Sequence, residues 1–504
     1  MKKILIKNIK MVLVGAALIG FASACEVTDL VPANLIPDSE AFSTAPRIES
    51  AVLGVYESAQ RGFYNDVVQR GYPFGAANVE QGDMRGEDMY NDQAFYEITY
   101  NNSYSPNSAN NAGMWISLYR MINRLNIILG NLDVAVTNGV LTAEDANAYK
   151  GEMLFLRALA HHELLIHFAR PYSDDVSSMG IPYRTFGIDD VTKVPDAEAV
   201  SRGTVGEDYA QLLLDLDAAE GFLPEGGAGR ANKGAAIALK SRIKLHMEDW
   251  AGVLTEYNKL ATKYAVTANP VAPFRGITST DNIFSFINSA TSNPGTNGAL
   301  PAMYGNPDLG ARGLVKISPI IWRADFWNAE DTRRTLLTTR SNLGIFTFKY
   351  TDATTFSDPN PILRFSEVVL NAAEANARLG GPNAAAAVTL LNSVRSRALP
   401  ASVPAYTVAG ADLLTAILNE RRIEFLAEGR RWPDIHRLSG EGLMNGIPLK
   451  ATSRSITSIN FYTTSIAIPT DHSLAYSSNL FVWPIPLAEL QANTTAPIEQ
   501  NPGY

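Results

Sequence analysis

The sequence predicts a mostly α-helical protein, and three observations carry that prediction. Apolar residues recur at helical spacing in long runs, such as Trp115, Leu118, Tyr119, Ile122, Leu125, Ile128 and Leu129, which a 3.6-residue period gathers onto one face. The run Ala235-Ala-Ile-Ala-Leu-Lys-Ser-Arg-Ile-Lys-Leu-His246 is rich in small residues, which let helices pack closely, as in stacked hairpins. β-like patterning is confined to minor short strands such as Ile283-Phe-Ser-Phe-Ile287 and Ile345-Phe-Thr-Phe348. The chain has 504 residues, 46% hydrophobic and 18% charged, an ordinary globular mix. Its length admits two to four domains. A formal charge of −9 argues against a nucleic-acid partner. The single cysteine excludes an intrachain disulfide and a cysteine-based metal site.

Lys2 to Lys10 is a basic leader segment, and Met11 to Phe21 is an apolar stretch too short for a membrane span. Ala22-Ser-Ala then precedes Cys25. This resembles a bacterial lipobox, with Ala22 where leucine is usual. On that reading residues 1–24 are a lipoprotein signal peptide and Cys25 is the lipidation site. Residues 25–40 form a lipidated tether, aperiodic and interrupted by Pro32 and Pro37. Residues 41–504 are expected to form a single helical domain with loop insertions. Lipidation by more than one chain gives stable anchoring. The alternative is ordinary secretion with an incidental free cysteine.

Ile48, Val52, Val55 and Tyr56 mark a first helix. A loop insertion follows at about 65–110, and Tyr72 to Tyr104 has no sustained helical period. It holds seven aromatics, about twice the 9% of the whole chain. A sugar ring presents C–H faces that stack on aromatics and hydroxyls that need polar partners. Tyr72, Asp83, Arg85, Tyr90, Tyr96 and Asn101 are therefore candidate ligand-binding residues; equally, such a loop can be packed by its own tyrosines. Its acids match no calcium-loop spacing.

Leu154, Phe155, Ala158, Leu159, His162, Leu165 and Ile166 make a further helix after the Trp115 run. Glu163 and His167 stand at i,i+4, but no HExxH pattern accompanies them, and core or helix-end histidines explain them better than a metal. Thr204 to Leu223 and Asn232 to Asp249 read as two more helices. A second insertion, at about 265–360, is rich in Asn, Gly, Pro, Ser and Thr. A stretch of that length between helices is functional or disordered, and its aromatics argue for order. Tyr304, Trp322, Phe326 and Trp327 are candidate ligand-binding residues there, forming either a stacking platform or part of the core under the loop. Pro361 to Leu379 and Pro382 to Arg397 return to helix.

The stretch from Asp412 to Arg437 is the most particular. Asp412 suits an N-cap, Leu413, Leu414, Ile417, Leu418 and Phe425 share one arc, and Gly429 suits a helix end. Arg421, Glu424 and Glu428 lie on the apolar side. Buried charges must be paired, so the spacing predicts an internal ion network joined by Arg430 or Arg431 and Asp434. Paired carboxylates can also serve catalysis, but interleaved arginines hold both acids ionised.

The run Glu420-Arg-Arg-Ile-Glu-Phe-Leu-Ala-Glu-Gly-Arg-Arg-Trp-Pro-Asp-Ile-His-Arg437 resembles the C-terminal signature of the SusD/RagB family, nutrient-capturing surface lipoproteins of Bacteroidetes. Gly151-Glu-Met-Leu-Phe-Leu-Arg-Ala158 and the ending Trp483-Pro-Ile-Pro-Leu487 with Gln500-Asn-Pro-Gly-Tyr504 are similar to the same family. The resemblance implies stacked tetratricopeptide-like helical hairpins with long irregular ligand-binding loops. It implies capture of an oligo- or polysaccharide, or of an oligopeptide as in the RagB branch. It also implies a SusC-like TonB-dependent transporter as partner, with this protein as its lid, and an outer-membrane, lipid-anchored location facing the cell exterior. No enzymatic activity, cofactor or metal is expected: Gly-x-Ser-x-Gly, HExxH and nucleotide-loop patterns are absent.

Overall fold

The computed structural model describes residues 38–504 except 65, 66, 69, 92, 453, 454 and 494. The leader, Cys25 and most of the tether lie outside the described residues, as does Asp92. Helix α1, Ala45–Arg61, starts with Pro46 in its first turn and buries Ile48, Val52 and Val55. Helix α2 is Ala76–Met84, α3 is Ala109–Thr137 and α4 is Ala143–Phe168. Helices α5, Val205–Phe222, α6, Lys233–His246, and α7, Trp250–Leu260, follow. Helices α8, Phe365–Leu379, α9, Ala384–Arg395, α10, Ala411–Glu424, and α11, Arg431–Gly440, complete the scaffold.

Capping residues set several starts. Thr204 and Glu207 form a reciprocal capping box on α5. Thr142, Asn232 and Asp249 each accept a backbone N–H at the starts of α4, α6 and α7. Consecutive helices then stack: α3 on α4, α4 on α5, α5 on α6, α6 on α7, α7 on α8 and α8 on α9, with α1 against α3 and α10 against α8. Ala235, Ala236 and Ala238 of α6 are buried; their small size lets α5, α7 and α8 approach α6 together. This is the stacked-hairpin architecture. One hydrophobic cluster runs through it from Ile48 to Ile498.

Short antiparallel ribbons carry the irregular regions. They are β1, Met89–Asn91, with β3, Val315–Ile317; β2, Asn282–Phe286, with β6, Asn360–Arg364; and β4, Thr338–Ser341, with β5, Gly344–Thr347.

Four elements differ from the sequence expectation. Residues 361–364, expected in a helix, belong to β6, and α8 starts at Phe365. The Asn232–Asp249 helix ends at His246, and Trp250 opens a separate helix capped by Asp249. Helix α2 lies inside the stretch that shows no helical period: every residue of it except Asn78 is buried, Glu80, Gln81 and Asp83 included, so polar positions do not mark a solvent face. Helix α10 starts after Gly410, so Asp412 is not the N-cap; it sits in the first turn, where its charge complements the helix end. That helix also stops at Glu424, and Ala427 and Gly429 turn the chain through positive φ of 63° and 71°. The turn packs backbone to backbone on α2: a Cβ on Gly82 would collide with the Gly429 carbonyl.

Candidate functional site

Both irregular regions come together. The ribbon of β1 and β3 pairs Met89 with Ile317, Tyr90 with Lys316 and Asn91 with Val315. Ala76 donates its N–H to the Gly298 carbonyl at 2.9 Å. A Cβ on Gly71, where φ is 78°, would collide with that same carbonyl, so the two loops meet at glycines. Phe74 stacks on Phe286 with centroids 5.4 Å apart.

The aromatic ring of Phe95 reaches the surface of this junction. Phe95 is half-buried, and its backbone position is set by Asn91, whose side-chain amide donates to the carbonyls of Gln93 and Phe95 while its oxygen accepts from the Gln93 N–H. Two exposed arginines lie over the ring, Arg70 from the first region at 4.7 Å from the centroid and Arg312 from the second at 5.3 Å. The Asn297 amide oxygen accepts from Arg312. Beneath them Tyr96 meets Phe95 edge to face at 5.2 Å, and Glu80 is fully buried. Burial pushes the Glu80 carboxyl well above the usual carboxylate range, with the Tyr96 hydroxyl opposing, Asp83 adding to the rise and Arg312 opposing more weakly. The arrangement offers a half-buried aromatic ring with two planar, multiply donating cations over it. Such a surface can hold a sugar ring by stacking and its oxygens by hydrogen bonds.

The residues chosen from sequence take other places. Tyr72 is 5% exposed and its hydroxyl accepts from Gln81 at 2.8 Å. Asp83 is buried, accepting from the Tyr304 hydroxyl at 2.8 Å and the Gly429 N–H at 3.1 Å; desolvation moves its carboxyl up to about 8. Arg85 is fully buried, its guanidinium 3.3 Å from the Trp432 ring centroid and 5.1 Å from that of Trp483, and burial lowers it to about 10. Tyr90 is buried and donates to the Ile456 carbonyl. Tyr96 and Tyr304 are buried as well. Trp322 and Trp327 are 6% and 3% exposed, edge to face at 5.2 Å, with Arg334 over both. Asn101 is half-buried, as is Phe326, which lies under Arg422 at 5.0 Å. The other eight are buried in this structure, against the expectation that they lie open to a ligand. A long irregular region closes its own small core, and the tyrosines and tryptophans supply it. The sequence reasoning missed Arg70, Arg312 and Asn297 and passed over Phe95. The available signal was glycine beside each arginine, Gly71 after Arg70, and Gly310 and Gly313 around Arg312.

The C-terminal ion network stands behind this junction. Glu424 accepts from Arg333, Arg364 and Arg397 at 2.9, 2.9 and 2.6 Å. Despite desolvation, those guanidiniums hold its carboxyl well below the usual range. Glu428 accepts from Lys349 at 2.6 Å and from Arg364 at 2.9 Å. Arg421 belongs to a neighbouring set, bonded to Asp434 at 2.9 Å and Asn371 at 2.6 Å. Arg431 and Arg422 reach Glu87 and Asp88, tying the first irregular region to α10 and α11. His167 faces Glu163 at 3.3 Å, and His161 stacks on Tyr183 at 3.8 Å; both rings are fully buried.

Comparison with known proteins places the architecture. A family profile described as SusD family matches residues 322–504, and one described as starch-binding, associating with the outer membrane, matches residues 57–245. SusD-like protein P2 of Formosa agariphila is 25% identical over 62% of this chain and 70% of its own length. A SusD superfamily crystal structure from Bacteroides fragilis superposes with a TM-score of 0.76 at 26% identity, covering 90% of this chain and 99% of that one. A second, from Bacteroides vulgatus, gives 0.73 at 25% identity, covering 92% and 99%. The surface glycan-binding protein A of Bacteroides thetaiotaomicron, solved with laminarihexaose, shares the fold with a TM-score of 0.66 at 18% identity, covering 91% and 100%.

Proposed function

Because the chain belongs to the SusD/RagB family, we propose that it captures an oligo- or polysaccharide at the cell surface and delivers it to a SusC-like TonB-dependent outer-membrane transporter, acting as that transporter's lid. Lipidation at Cys25 would hold it at the membrane. The observation that carries the saccharide reading is the junction of the two irregular regions, where Phe95 is presented between Arg70 and Arg312. The description of the profile matching residues 57–245 as starch-binding supports it, and so does the hexasaccharide held by a protein of the same fold. The carboxylates of the C-terminal stretch are spoken for. Glu424 is held ionised by three arginines and Glu428 is paired with Lys349 and Arg364, an arrangement that favours binding without catalysis.

The experiment is isothermal titration of the leader-free protein with a panel of oligosaccharides and short peptides, repeated on Phe95→Ala. Saturable binding of a saccharide, weakened about tenfold or more by loss of the ring, is the expected result. Saturable binding of peptides alone would overturn the reading in favour of oligopeptide capture.

A further inference from the structure

We propose that the junction selects an anionic glycan, one carrying carboxylate or sulfate-ester groups, with Arg70 and Arg312 as its charge-recognising residues. The inference rests on the saccharide-capture reading and names the class of sugar.

Three observations support it. First, Arg70 and Arg312 approach the same ring from the two different irregular regions. A guanidinium carries its N–H donors in a fork geometry that matches carboxylate and sulfate oxygens. Second, among the described residues neither arginine has a carboxylate within ion-pair distance. Among the described residues Arg312 donates to the amide oxygen of Asn297 and, at 3.7 Å, to the sulfur of Met303. Elsewhere in this acidic chain the guanidiniums of Arg157, Arg242, Arg364 and Arg437 are each tied to carboxylates. Third, Glu80 beneath the patch is fully buried and driven toward its neutral form, so it contributes little negative charge against Arg312. A net charge of −9 repels polyanions from the chain as a whole. Attachment of an acidic chain must therefore be local to such a patch.

The test compares matched ligands by isothermal titration: laminarin oligosaccharides against their sulfated forms, and oligogalacturonates against uncharged galactose oligomers of the same length. Each is run on the wild type, Arg70→Gln, Arg312→Gln, Phe95→Ala and, as a surface arginine remote from the patch, Arg395→Gln. We expect at least one anionic series to bind about tenfold or more tightly than its neutral counterpart. Each patch arginine should carry about tenfold of that preference, and the preference should shrink as salt rises. Arg395→Gln should change nothing. Which series responds separates a carboxylate from a sulfate ester. Equal binding of neutral and charged sugars, lost in Phe95→Ala but unaffected in both arginine variants, would overturn the charge assignment and leave saccharide capture standing. Equal weakening by Arg395→Gln would show general polyanion adhesion and overturn it too. Binding of no sugar in any series would remove the saccharide reading itself.

Discussion

Two sets of arginines in this molecule are arranged in opposite ways. In the C-terminal network Arg364 is 2% exposed and bonded to Asp281, Glu424 and Glu428. At the junction of the irregular regions Arg70 and Arg312 are exposed, cover an aromatic ring and meet no carboxylate among the described residues. The first arrangement satisfies buried charge and fixes how α8, α10 and β6 pack; it has no capacity left for a ligand. The second leaves donors open to solvent and contributes little to folding. The contrast teaches that the distinctive motif and the proposed ligand surface are different parts of this chain, joined through Glu87, Asp88 and Asp83 of the first irregular region and Arg333 and Lys349 of the second.

The comparison can be broken or sharpened by substitution. Arg364→Met should be the most damaging, because it leaves three carboxylates buried without their shared cation; a loss of about 3–5 kcal/mol is expected in denaturant unfolding. Titration of the same unfolding with pH should come next. Glu424 is held well below the usual carboxylate range, and Asp434 is lowered to about 2 by Arg421 and Arg437, whose attraction outweighs its burial. A depressed folded value contributes stability that is present above the unfolded carboxylate range near 4 and is lost as pH falls toward 2. Asp83, raised by burial to about 8, acts with the other sign. It destabilises progressively as pH rises from about 4 to 8, and Asp83→Asn should remove that part of the slope. Phe95→Ala should weaken saccharide binding about tenfold while leaving the pH profile of unfolding unchanged, as read by titration calorimetry and denaturant melts. The smallest effect belongs to Arg312→Gln on stability, expected within about 0.5 kcal/mol, in contrast to Arg364.

How much of this was legible in the sequence follows the same division. Helices with one wet face announced themselves: α3, α5 and α8 appear where the apolar period put them, and the Glu424 and Glu428 charges on an apolar arc pointed to buried pairing. Helix α2 did not, since Glu80, Gln81 and Asp83 are buried with its apolar residues and mark no solvent face. The regions that meet at the candidate site were legible as long aromatic loops. Their individual contacts were not, because Tyr72, Tyr90 and Tyr304 look identical in sequence whether they face solvent or the loop's own interior. Phe95 differs from them only through the Asn91 turn that lifts it outward, and Arg70 and Arg312 are 242 positions apart, brought together by the β1–β3 ribbon and the Gly71–Gly298 contact. No local pattern carries that juxtaposition.

The most direct test of the account is a crystal structure of the protein with the saccharide that titrates most tightly. The account predicts a sugar ring against Phe95 with its oxygens within hydrogen-bond distance of the Arg70 and Arg312 guanidiniums. A saccharide seated instead in the cleft of about 570 Å³ lined by Ile127, Phe186 and Lys193, with the junction empty, would contradict it.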